Sequence, residues 1–356
     1  MDIDLLILVE DPGAANFICS LPTALSRNSI NFRIIALGKA KKFLESRGIK
    51  TTSYNDDIDV KTILESFNFK ILLVGTSQNK YSISLSLIDL CKKISILTIG
   101  FVDMAVDADL RFKGVSNNPL QHAPDKLIVA DIFSMNAFIK LGYPKKKINL
   151  VESPSLKRIQ LLLEDYKKTS KSNLRQDLLG LDPSPKEIWL FAAEHDTGDN
   201  SNYEYTLHGR GETKSRVKIV LEEVLEVSKL IKPKPFIILR LHPKNNKNEF
   251  INYLDEIDLL SYDTDAFPYI IASDLVIGLS SIILLEAAFA GRATLSIVPR
   301  LEECQWSPSV LQKLTPCATT RSAIYEKIKN KYASKTTEIN NNYLPSLLEI
   351  ITTSLK

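Results

Sequence analysis

The sequence lacks the features that would place it in several large classes of protein. None of its apolar runs approaches the about 20 residues needed to span a bilayer. Its start carries the acidic residues Asp2 and Asp4 and does not resemble a signal peptide. A formal net charge of +3 is too small to indicate nucleic-acid binding. We therefore expect a cytoplasmic protein with at most peripheral membrane contact, through lysine runs such as 39–42 and 145–147.

Cysteine is also scarce. The four cysteines show neither a paired spacing nor a metal-binding pattern, and the sequence has no internal repeat and no low-complexity tract. We expect neither a bound metal nor a cofactor, and the sequence does not indicate an oligomeric state. What is present is the apolar material of a globular protein, with 44% hydrophobic residues in 356. That length predicts two domains of ordinary size.

Short apolar strands alternate with helical segments along the chain. This pattern predicts parallel sheets covered on both faces, and hence an α/β protein of two doubly wound, Rossmann-like domains with a cleft between them. The expected strands are Leu5–Val9, Phe32–Leu37, Ile71–Val74, Ile94–Ile99, Leu127–Ala130, Ile148–Val151, Ile188–Ala192, Phe236–Leu241, Leu275–Ile277 and Ala293–Ile297. The first expected helix, behind the first strand, is a single one over residues 14–26.

The domain limits follow from the same pattern. We expect an N-terminal domain at 1–155, a charged helical linker at 156–180 and a second domain at 181–338. Pro183 and Pro185 mark the start of the second domain. Residues 339–356 have apolar residues at helical spacing and should pack back toward the first domain.

The most informative segment is 277–291, which predicts a buried strand, a turn containing Ser280 and Ser281, and a helix that carries Glu286. Such a helix start offers free backbone N–H groups, hydroxyls and a positive dipole end, which suit a phosphate. Glu286 would accept a hydrogen bond from a ribose hydroxyl. The alternative is that the serines only cap the helix.

A second polar cluster lies at the end of the preceding predicted strand. Arg240 and His242 share one face by strand alternation, and Pro243 ends the strand. Cationic side chains at a strand end favour an anion site. We interpret Arg240, His242, Pro243, Ser280 and Ser281 as binding a nucleotide phosphate.

The loop after the first strand contains Glu10, Asp11, Gly13 and Asn16. Its carboxylates could supply a general base, and Gly13 would let a ligand approach the backbone. For Asp11 the alternative is capping of the next helix, with a proline at the first helical position. Glu10 is not needed for that cap. Gly13 and Asn16 are candidate substrate contacts.

Two further loops carry candidate residues. Residues 100–112 contain three aspartates and Arg111. Asp103 could be a base, and Arg111 could be its ion-pair partner or a substrate contact. The alternative is that the three aspartates bind a divalent cation. Residues 191–200 include Glu194 and His195, which could bind a phosphate or carboxylate, with an ordinary polar loop as the alternative.

These residues resemble a family. The second domain is similar to that of GT-B glycosyltransferases and of UDP-N-acetylglucosamine 2-epimerases, in residues 173–182 and 277–291. The combination of His242-Pro243 with Ser280-Ser281 resembles a pair of motifs in bacterial sialyltransferases, polysialyltransferases and Kdo transferases. In those enzymes the two motifs hold the phosphate of a CMP-linked acidic sugar. The turn that contains Glu194 and His195 also resembles one in lipid A Kdo transferases. The epimerases' His-Arg-Arg-Glu-Asn pattern is absent, and so is the sialyltransferases' acidic motif in its usual form.

The resemblance implies a metal-independent, inverting GT-B glycosyltransferase. It would move a sugar from a CMP- or UDP-linked donor to a glycan acceptor, in surface polysaccharide biosynthesis. Arg240, His242, Ser280 and Ser281 would neutralise the leaving phosphate. One of Glu10, Asp11 and Asp103 would take the acceptor's proton. The alternatives are a nucleotide-sugar 2-epimerase or hydrolase, and a catalytically silent protein that binds a nucleotide sugar.

Overall fold

The structure is a computed structural model, and it describes residues 1–55, 58–104, 106–166, 170–180, 187–196, 204–262, 264–330 and 345–356. The chain divides into two compact units. Unit 1 comprises Met1–Arg158 together with Asn342–Lys356, and unit 2 comprises Ile159–Asn341.

In unit 1 the strands and helices alternate from the first residues onward. They are β1 (Asp2–Val9), α1 (Pro12–Ile18), α2 (Leu21–Arg27), β2 (Phe32–Ala36), α3 (Gly38–Glu45), α4 (Val60–Ser66), β3 (Asn68–Gly75), α5 (Ile83–Lys93), β4 (Leu97–Val102), β5 (Lys126–Val129), α6 (Ile132–Lys140), β6 (Ile148–Leu150), α7 (Pro154–Tyr166), which runs on into unit 2, and the C-terminal α14 (Leu347–Leu355).

Unit 2 continues the same alternation. Its elements are α8 (Lys171–Leu179), β7 (Ile188–Ala192), α9 (Arg216–Leu230), β8 (Phe236–Arg240), β9 (Leu259–Ser261), α10 (Phe267–Ala272), β10 (Leu275–Gly278), α11 (Ile282–Phe289), β11 (Ala293–Ile297), α12 (Pro308–Leu311), β12 (Cys317–Ala318) and α13 (Arg321–Lys329). Three 3-10 segments, Lys145–Lys147, Lys247–Tyr253 and Leu301–Trp306, complete the list.

Sheet A, in unit 1, has six parallel strands in the order β2-β1-β3-β4-β5-β6. The buried parts of its central strands, such as Leu5–Val9 of β1 and residues 71–74 of β3, are continuous apolar runs, because helices cover both faces of the sheet. One face packs with residues such as Leu6, Val74 and Phe138. The other packs with Ile7 and Phe17, and the C-terminal α14 adds Leu347 and Ile351 to this second layer.

Sheet B, in unit 2, also has six parallel strands, in the order β12-β11-β10-β7-β8-β9. Trp189 and Phe191 of β7 point into one core layer together with Val220 and Val224 of α9. Ile188 and Leu190, which alternate with them on β7, point to the opposite layer, which α10 and α11 cover. Two doubly wound parallel sheets are what the alternating pattern predicts.

Several predicted boundaries are wrong in detail. The single helix expected over residues 14–26 is two helices, α1 and α2, with a break at Cys19–Ser20. The strand expected at Ile94–Ile99 is Leu97–Val102, because α5 extends to Lys93 and Ser95 turns the chain with a positive φ of 60°. The short edge strands β9 and β12 were not predicted.

The cysteines form a pair that their spacing does not indicate. Cys304 and Cys317 are joined by a disulfide that links the 3-10 segment Leu301–Trp306 to β12. Cys19 and Cys91 are free, and Cys91 is buried. Burial raises the pKa of the Cys91 thiol to about 12, so this thiol is unreactive near neutral pH.

Some of the predictions concern residues outside the described ranges. These are the middle of the linker (167–169), residues 181–186 with Pro183 and Pro185, residues 197–200 of the loop after β7, and residues 331–344 before α14. The four-part domain division stays a prediction. None of the helices in the described part of the chain combines the length and the hydropathy that a membrane crossing requires.

Candidate functional site

Sheet B reverses its strand order at β7. The chain proceeds from β7 to β8 and β9 on one side and then crosses to β10, β11 and β12 on the other. The loops that leave the carboxyl ends of β7 and β10 therefore diverge, and ligands of doubly wound proteins bind in the crevice that this divergence opens. In this chain those loops carry Glu194 and Ser280.

Glu194 bridges the two sides of this crevice. Its Oε1 accepts hydrogen bonds from the backbone N–H of Ser280, at 2.5 Å, and from the Ser280 hydroxyl, at 2.9 Å. The N–H group and the hydroxyl that we assigned to a phosphate thus already hold a carboxylate in this structure. The role of Ser280 in binding a phosphate stays a prediction, because in this structure its N–H and its hydroxyl both donate to Glu194.

Arg216, the first residue of α9, holds the other oxygen of Glu194. Its Nη1 donates to Glu194 Oε2 at 2.9 Å, and its Nε and Nη2 donate to Glu303 Oε2 at 3.0 and 2.5 Å. Arg300 Nε donates to the second oxygen of Glu303 at 2.6 Å. Two carboxylates and two guanidinium groups therefore alternate in one chain of hydrogen bonds.

This chain is buried. The side chain of Glu303 is 0% exposed and that of Arg216 is 10% exposed. Burial by itself lowers the pKa of the Arg216 guanidinium, but the charges of Glu194 and Glu303 and their hydrogen bonds outweigh it and raise that pKa. Arg216 and Arg300 also lie over the ring of Trp306, at 5.4 and 5.3 Å from its centroid. The charges of the four ionised groups cancel.

Two histidines meet beside this network. His195 follows β7, His242 follows β8, and their ring centroids are 6.4 Å apart with an angle of 25° between the ring planes. The Nδ1 of His242 accepts a hydrogen bond from the backbone N–H of Lys244 at 3.1 Å. Because a neutral imidazole with an accepting Nδ1 carries its proton on Nε2, His242 presents an N–H donor on its other side.

The remaining predicted phosphate residues have other contacts in this structure. Arg240 is buried and donates to the Ser261 and Thr264 hydroxyls, at 2.8 and 2.9 Å, and to the Thr264 carbonyl oxygen. These bonds tie β8 to β9. Ser281 is the N-cap of α11, since its hydroxyl accepts from the N–H of Ile283 at 3.3 Å. Glu286 is a buried residue of α11 and Pro243 is exposed.

In unit 1, sheet A reverses at β1, with β2 on one side and β3 to β6 on the other. Glu10 follows β1 and contacts the start of α5, the helix that follows β3. Its carboxylate accepts from the hydroxyls of Ser82 and Ser84, the latter at 2.7 Å, and from the N–H groups of Ile83 and Ser84, each at 3.3 Å. A carboxylate at a helix N-terminus is favourably placed, and here it fastens the two sides of the crevice together.

Asp103, after β4, lies against the first turn of α1. A Cβ atom placed on Gly13 would come within 2.1 Å of Asp103 Oδ2, so the absence of a side chain at Gly13 is what admits the carboxylate. Arg111 Nη2 is 3.7 Å from Asp103 Oδ1 and donates to the Val106 carbonyl oxygen at 3.2 Å. Arg111 is 6% exposed, and its Nε has no partner among the described residues.

Two further predictions about these loops can be compared with the structure. Asp11 occupies the N-cap position of α1, but its side chain does not make the capping hydrogen bond; Asn16 lies within α1. Of the three aspartates after β4, Asp107 accepts a hydrogen bond from the side chain of Gln78 at 2.7 Å. Within the described ranges, no group of three His, Cys, Asp or Glu residues could hold a metal ion.

The structure adds residues that the sequence interpretation missed. Asp131 follows β5 and caps α6, accepting from the Ser134 N–H at 2.7 Å and the Ser134 hydroxyl at 2.9 Å. Burial raises its pKa, with a smaller contribution in the same direction from the charge of Asp103. An acidic residue directly after a predicted strand was the available signal. Arg216 and Glu303 gave no such signal, because 87 residues separate them.

The solved structures that resemble this chain include several UDP-GlcNAc 2-epimerases. The Neisseria meningitidis enzyme bound to UDP-GlcNAc has a TM-score of 0.69 at 15% identity, over 99% of this chain and 98% of its own. The Methanocaldococcus jannaschii enzyme in complex with UDP-GlcNAc and UDP has a TM-score of 0.70 at 15% identity, over 100% of this chain and 99% of its own. The Rickettsia bellii enzyme has a TM-score of 0.62 at 14% identity, over 99% of this chain and 94% of its own. No protein-family model matches the sequence, and a search of curated proteins finds no match either.

These likenesses establish the fold and correct the predicted function. The protein has the two-domain α/β layout of the GT-B type, with two parallel six-stranded sheets. The prediction of glycosyl transfer is wrong: the 2-epimerases of Neisseria meningitidis and Methanocaldococcus jannaschii match this chain from end to end, which favours the alternative that we kept open. The resemblance to sialyltransferases and Kdo transferases, with its CMP-linked donor, gains no support from them. The role of Glu10, Asp11 or Asp103 as a base for an acceptor hydroxyl falls with glycosyl transfer.

Proposed function

We propose that the protein is a nucleotide-sugar enzyme that epimerises, or hydrolyses, a UDP-linked sugar. The observation that carries this proposal is the end-to-end likeness to enzymes whose structures contain UDP-GlcNAc or UDP. The polar groups at the β7/β10 crevice of unit 2 supply the anion-binding chemistry that a nucleotide diphosphate requires.

In this proposal the diphosphate binds beside the start of α11. His242 offers its Nε2–H, and Ser280 and Ser281 offer hydroxyls and nearby backbone N–H groups. A diphosphate would compete with Glu194 for the donors of Ser280. Since Arg216 neutralises Glu194, the carboxylate does not set an uncompensated negative charge beside the ligand. Glu286 is the candidate partner for the ribose, and Arg240 supports the loop after β8.

Glu194 and Arg216 act as positioning residues. The Glu303–Arg216–Glu194–Ser280 chain of hydrogen bonds joins the loop after β7, the start of α9, the segment after β11 and the turn before α11. Four separate backbone segments are thereby fixed around one crevice. A preformed crevice costs a ligand less ordering free energy on binding than a mobile one does.

Epimerisation needs proton transfer. A base removes the hydrogen of C2 as a proton while the C1–O bond to UDP breaks, so the electron pair of the C–H bond forms a C1=C2 double bond. Return of a proton to the opposite face of C2 and of UDP to C1 completes the inversion without changing the composition. Within unit 2, His195 is the candidate for one of these steps. Within unit 1, Asp103, one of the three carboxylates considered as a base, is a candidate for such a step. Asp131, whose pKa burial raises, is better suited to proton exchange than an ordinary exposed carboxylate.

The experiment is incubation with UDP-GlcNAc in D2O. Epimerisation puts deuterium on the inverted carbon and yields the epimeric UDP-sugar, which NMR and mass spectrometry detect. Hydrolysis releases UDP without that label. His208→Ala is the matched control for His242→Ala, because His208 is an exposed histidine of the same unit. The His242 variant should lose activity and the His208 variant should keep it. Binding of UDP with neither deuterium incorporation nor UDP release would overturn the proposal and identify a silent binding protein.

A further inference from the structure

The disulfide of unit 2 lies next to the candidate nucleotide crevice at both of its ends. Cys304 directly follows Glu303, the buried carboxylate that holds Arg216. Cys317 belongs to β12, and its Sγ is 3.8 Å from the hydroxyl oxygen of Ser296 in β11. Neither the disulfide nor Ser296 has a role in the nucleotide chemistry proposed for unit 2.

From the Cys304 end, hydrogen bonds lead to the turn before α11. Glu303 Oε2 accepts from Arg216 at 3.0 and 2.5 Å, and Arg216 donates to Glu194 at 2.9 Å. Glu194 in turn accepts from the N–H and the hydroxyl of Ser280. Glu303 is fully buried and Arg216 is nearly so. Glu303 therefore fixes the direction in which Arg216 presents its remaining nitrogen to Glu194.

From the Cys317 end, a second path leads to the same turn. Ser296 is the β11 residue paired with Cys317, and its hydroxyl donates to the Leu279 carbonyl oxygen at 2.5 Å. Leu279 directly precedes Ser280, and both Leu279 and Ser296 are fully buried. The two paths close a ring through the crevice, which we call the crevice ring. Its members are Cys304, Glu303, Arg216, Glu194, Ser280, Leu279, Ser296 and Cys317.

The disulfide joins two short elements of this ring. β12 has two residues, and the segment Leu301–Trp306 is a 3-10 helix, whose hydrogen bonds have poorer geometry than those of an α-helix. The S–S bond is thus a covalent tether between elements that the backbone alone holds weakly. Cys304 and Cys317 are both half-buried, so that a small thiol reagent can reach them.

From this arrangement we propose that the redox state of Cys304 and Cys317 regulates nucleotide binding in unit 2, with Glu303 and Ser296 as the positioning residues that carry the effect. The ligand in this proposal rests on the proposed function, whereas the link between the disulfide and Ser280 is a property of the fold.

The chemical step is thiol–disulfide exchange with a dithiol. The S–S bond of the protein breaks, its two sulfurs take up two electrons and the two thiol protons of the reagent, and the two sulfurs of the reagent join as a disulfide. In the reduced protein, Glu303 and Ser296 lose their common tether. The donors of Ser280 must then be ordered when a nucleotide binds, which lowers the affinity.

Calorimetric titration with UDP measures this effect. We expect reduction by dithiothreitol to weaken UDP binding by roughly fivefold or more, and reoxidation by oxidised glutathione to restore it. Cys304→Ser/Cys317→Ser should bind UDP as the reduced protein does, with or without dithiothreitol. Cys19→Ser, at a free cysteine of unit 1, should respond as wild type does. Peptide mapping by mass spectrometry verifies the redox state, and tryptophan fluorescence verifies that both forms are folded.

Hydrogen exchange without any ligand tests the link within the fold. Reduction should raise amide exchange in residues 279–283 and 301–306 by roughly threefold or more. The helix α10, which lies in the other core layer of unit 2, should exchange at the same rate in both redox forms.

A pair of serine variants makes the test specific. Ser296→Ala removes one path of the crevice ring, so the effect of reduction on residues 279–283 should fall to less than half. Ser228→Ala is the matched control, because this buried hydroxyl donates to the Leu225 carbonyl oxygen within α9, outside the ring. It should keep the full effect.

Three results would overturn the regulation: no disulfide in the oxidised protein, exchange at 279–283 that does not depend on the redox state, or equal and measurable UDP affinities in the two forms. Redox-dependent exchange at 279–283 without UDP binding in either form would support the link within the fold and overturn the proposed nucleotide function instead.

Discussion

Arg216 is bound at the same time to Glu194, 22 residues before it, and to Glu303, 87 residues after it. The three residues come from the loop after β7, the start of α9 and the 3-10 segment after β11. A buried ion pair contributes little net stability when it is complete, but loss of one partner leaves an uncompensated buried charge. Arg216 is therefore a residue whose removal should affect all three segments.

We expect Arg216→Met to lower the free energy of unfolding of unit 2 by about 3–5 kcal/mol, because Glu303 would stay buried without its main partner. Urea unfolding followed by tryptophan fluorescence measures this selectively, since the two tryptophans of the chain, Trp189 and Trp306, both lie in unit 2. The control Lys229→Met breaks an exposed pair with Glu226 and should cost at most about 1 kcal/mol. Similar losses in the two variants would show that the buried network has no special role.

The sequence predicts the architecture well because a parallel strand buried on both faces is visible as a short apolar run. β7 and β11 were predicted to the residue, and the other central strands to within a few residues. The edge strands β9 and β12, of three residues and two residues, were missed. Helix 14–26 was predicted whole because its apolar spacing continues across the break at Cys19–Ser20.

The candidate site was predictable in position but less so in its contacts. Residues directly after strands had to gather at the carboxyl edge of each sheet, and His195 and His242 do so. The partners of those residues depend on distant segments: Glu194 binds Ser280 across 86 residues, and Glu10 binds Ser84 across 74. Local spacing carries no information about such pairs, which form only when the sheet assembles.

The disulfide gives a second prediction. Cys304 and Cys317 are 13 residues apart, and a crosslink of about this loop length stabilises by roughly 3 kcal/mol in the chain-entropy model. Reduction, or Cys304→Ser, should therefore lower the urea midpoint of unit 2 in the tryptophan signal. Cys19→Ser serves as the control because Cys19 lies in unit 1 and is free. An unchanged midpoint after complete reduction, verified by mass spectrometry, would contradict the expected contribution.

Asp274 predicts a pH dependence. Its carboxylate accepts from Lys171 at 2.7 Å, from Arg175 at 2.6 Å and from the N–H of Ile188 at 2.9 Å. Burial alone would raise its pKa, but the bonds from Lys171 and Ile188 and the nearby positive charges outweigh burial and lower it below 3.8. A carboxyl with a lowered pKa in the folded state contributes stability above its ordinary pKa and loses that contribution as the pH falls.

Asp274→Asn should therefore cost about 1–3 kcal/mol at pH 7, and the difference from wild type should shrink as the pH falls from about 5 to below 3.8. Urea titrations at a series of pH values measure both quantities. Asp255→Asn, at an exposed aspartate of the same unit, should show no such trend. A cost that stays constant down to pH 3 would mean that Asp274 acts through its shape and not through its charge.

Gly13 allows a test of Asp103 without changing Asp103 itself. The Cβ atom of Gly13→Ala would displace the Asp103 carboxylate, the end of a side chain that can rotate away, so the melting temperature should change little. If Asp103 takes part in the proposed reaction, a displacement of about 1 Å should lower turnover roughly 100-fold, while UDP binding stays close to wild type. In an Asp103→Ala background, Gly13→Ala should have no additional effect. An equal loss in that background would assign the effect to the backbone of α1.

His242 tests the nucleotide site directly. It is fixed by the N–H of Lys244 on Nδ1, so its Nε2–H points away from that bond and is the donor that we assign to a phosphate oxygen. Loss of a hydrogen bond to a charged group costs about 1.5–3 kcal/mol, so His242→Ala should weaken UDP binding by roughly ten- to a hundredfold. Calorimetric titration with UDP measures this, and His208→Ala should bind as wild type. His242→Gln keeps an N–H donor on a side chain of similar length and should recover part of the affinity. If His242→Ala instead lowers the melting temperature by several degrees and keeps its affinity for UDP, His242 is a structural residue and the nucleotide lies elsewhere.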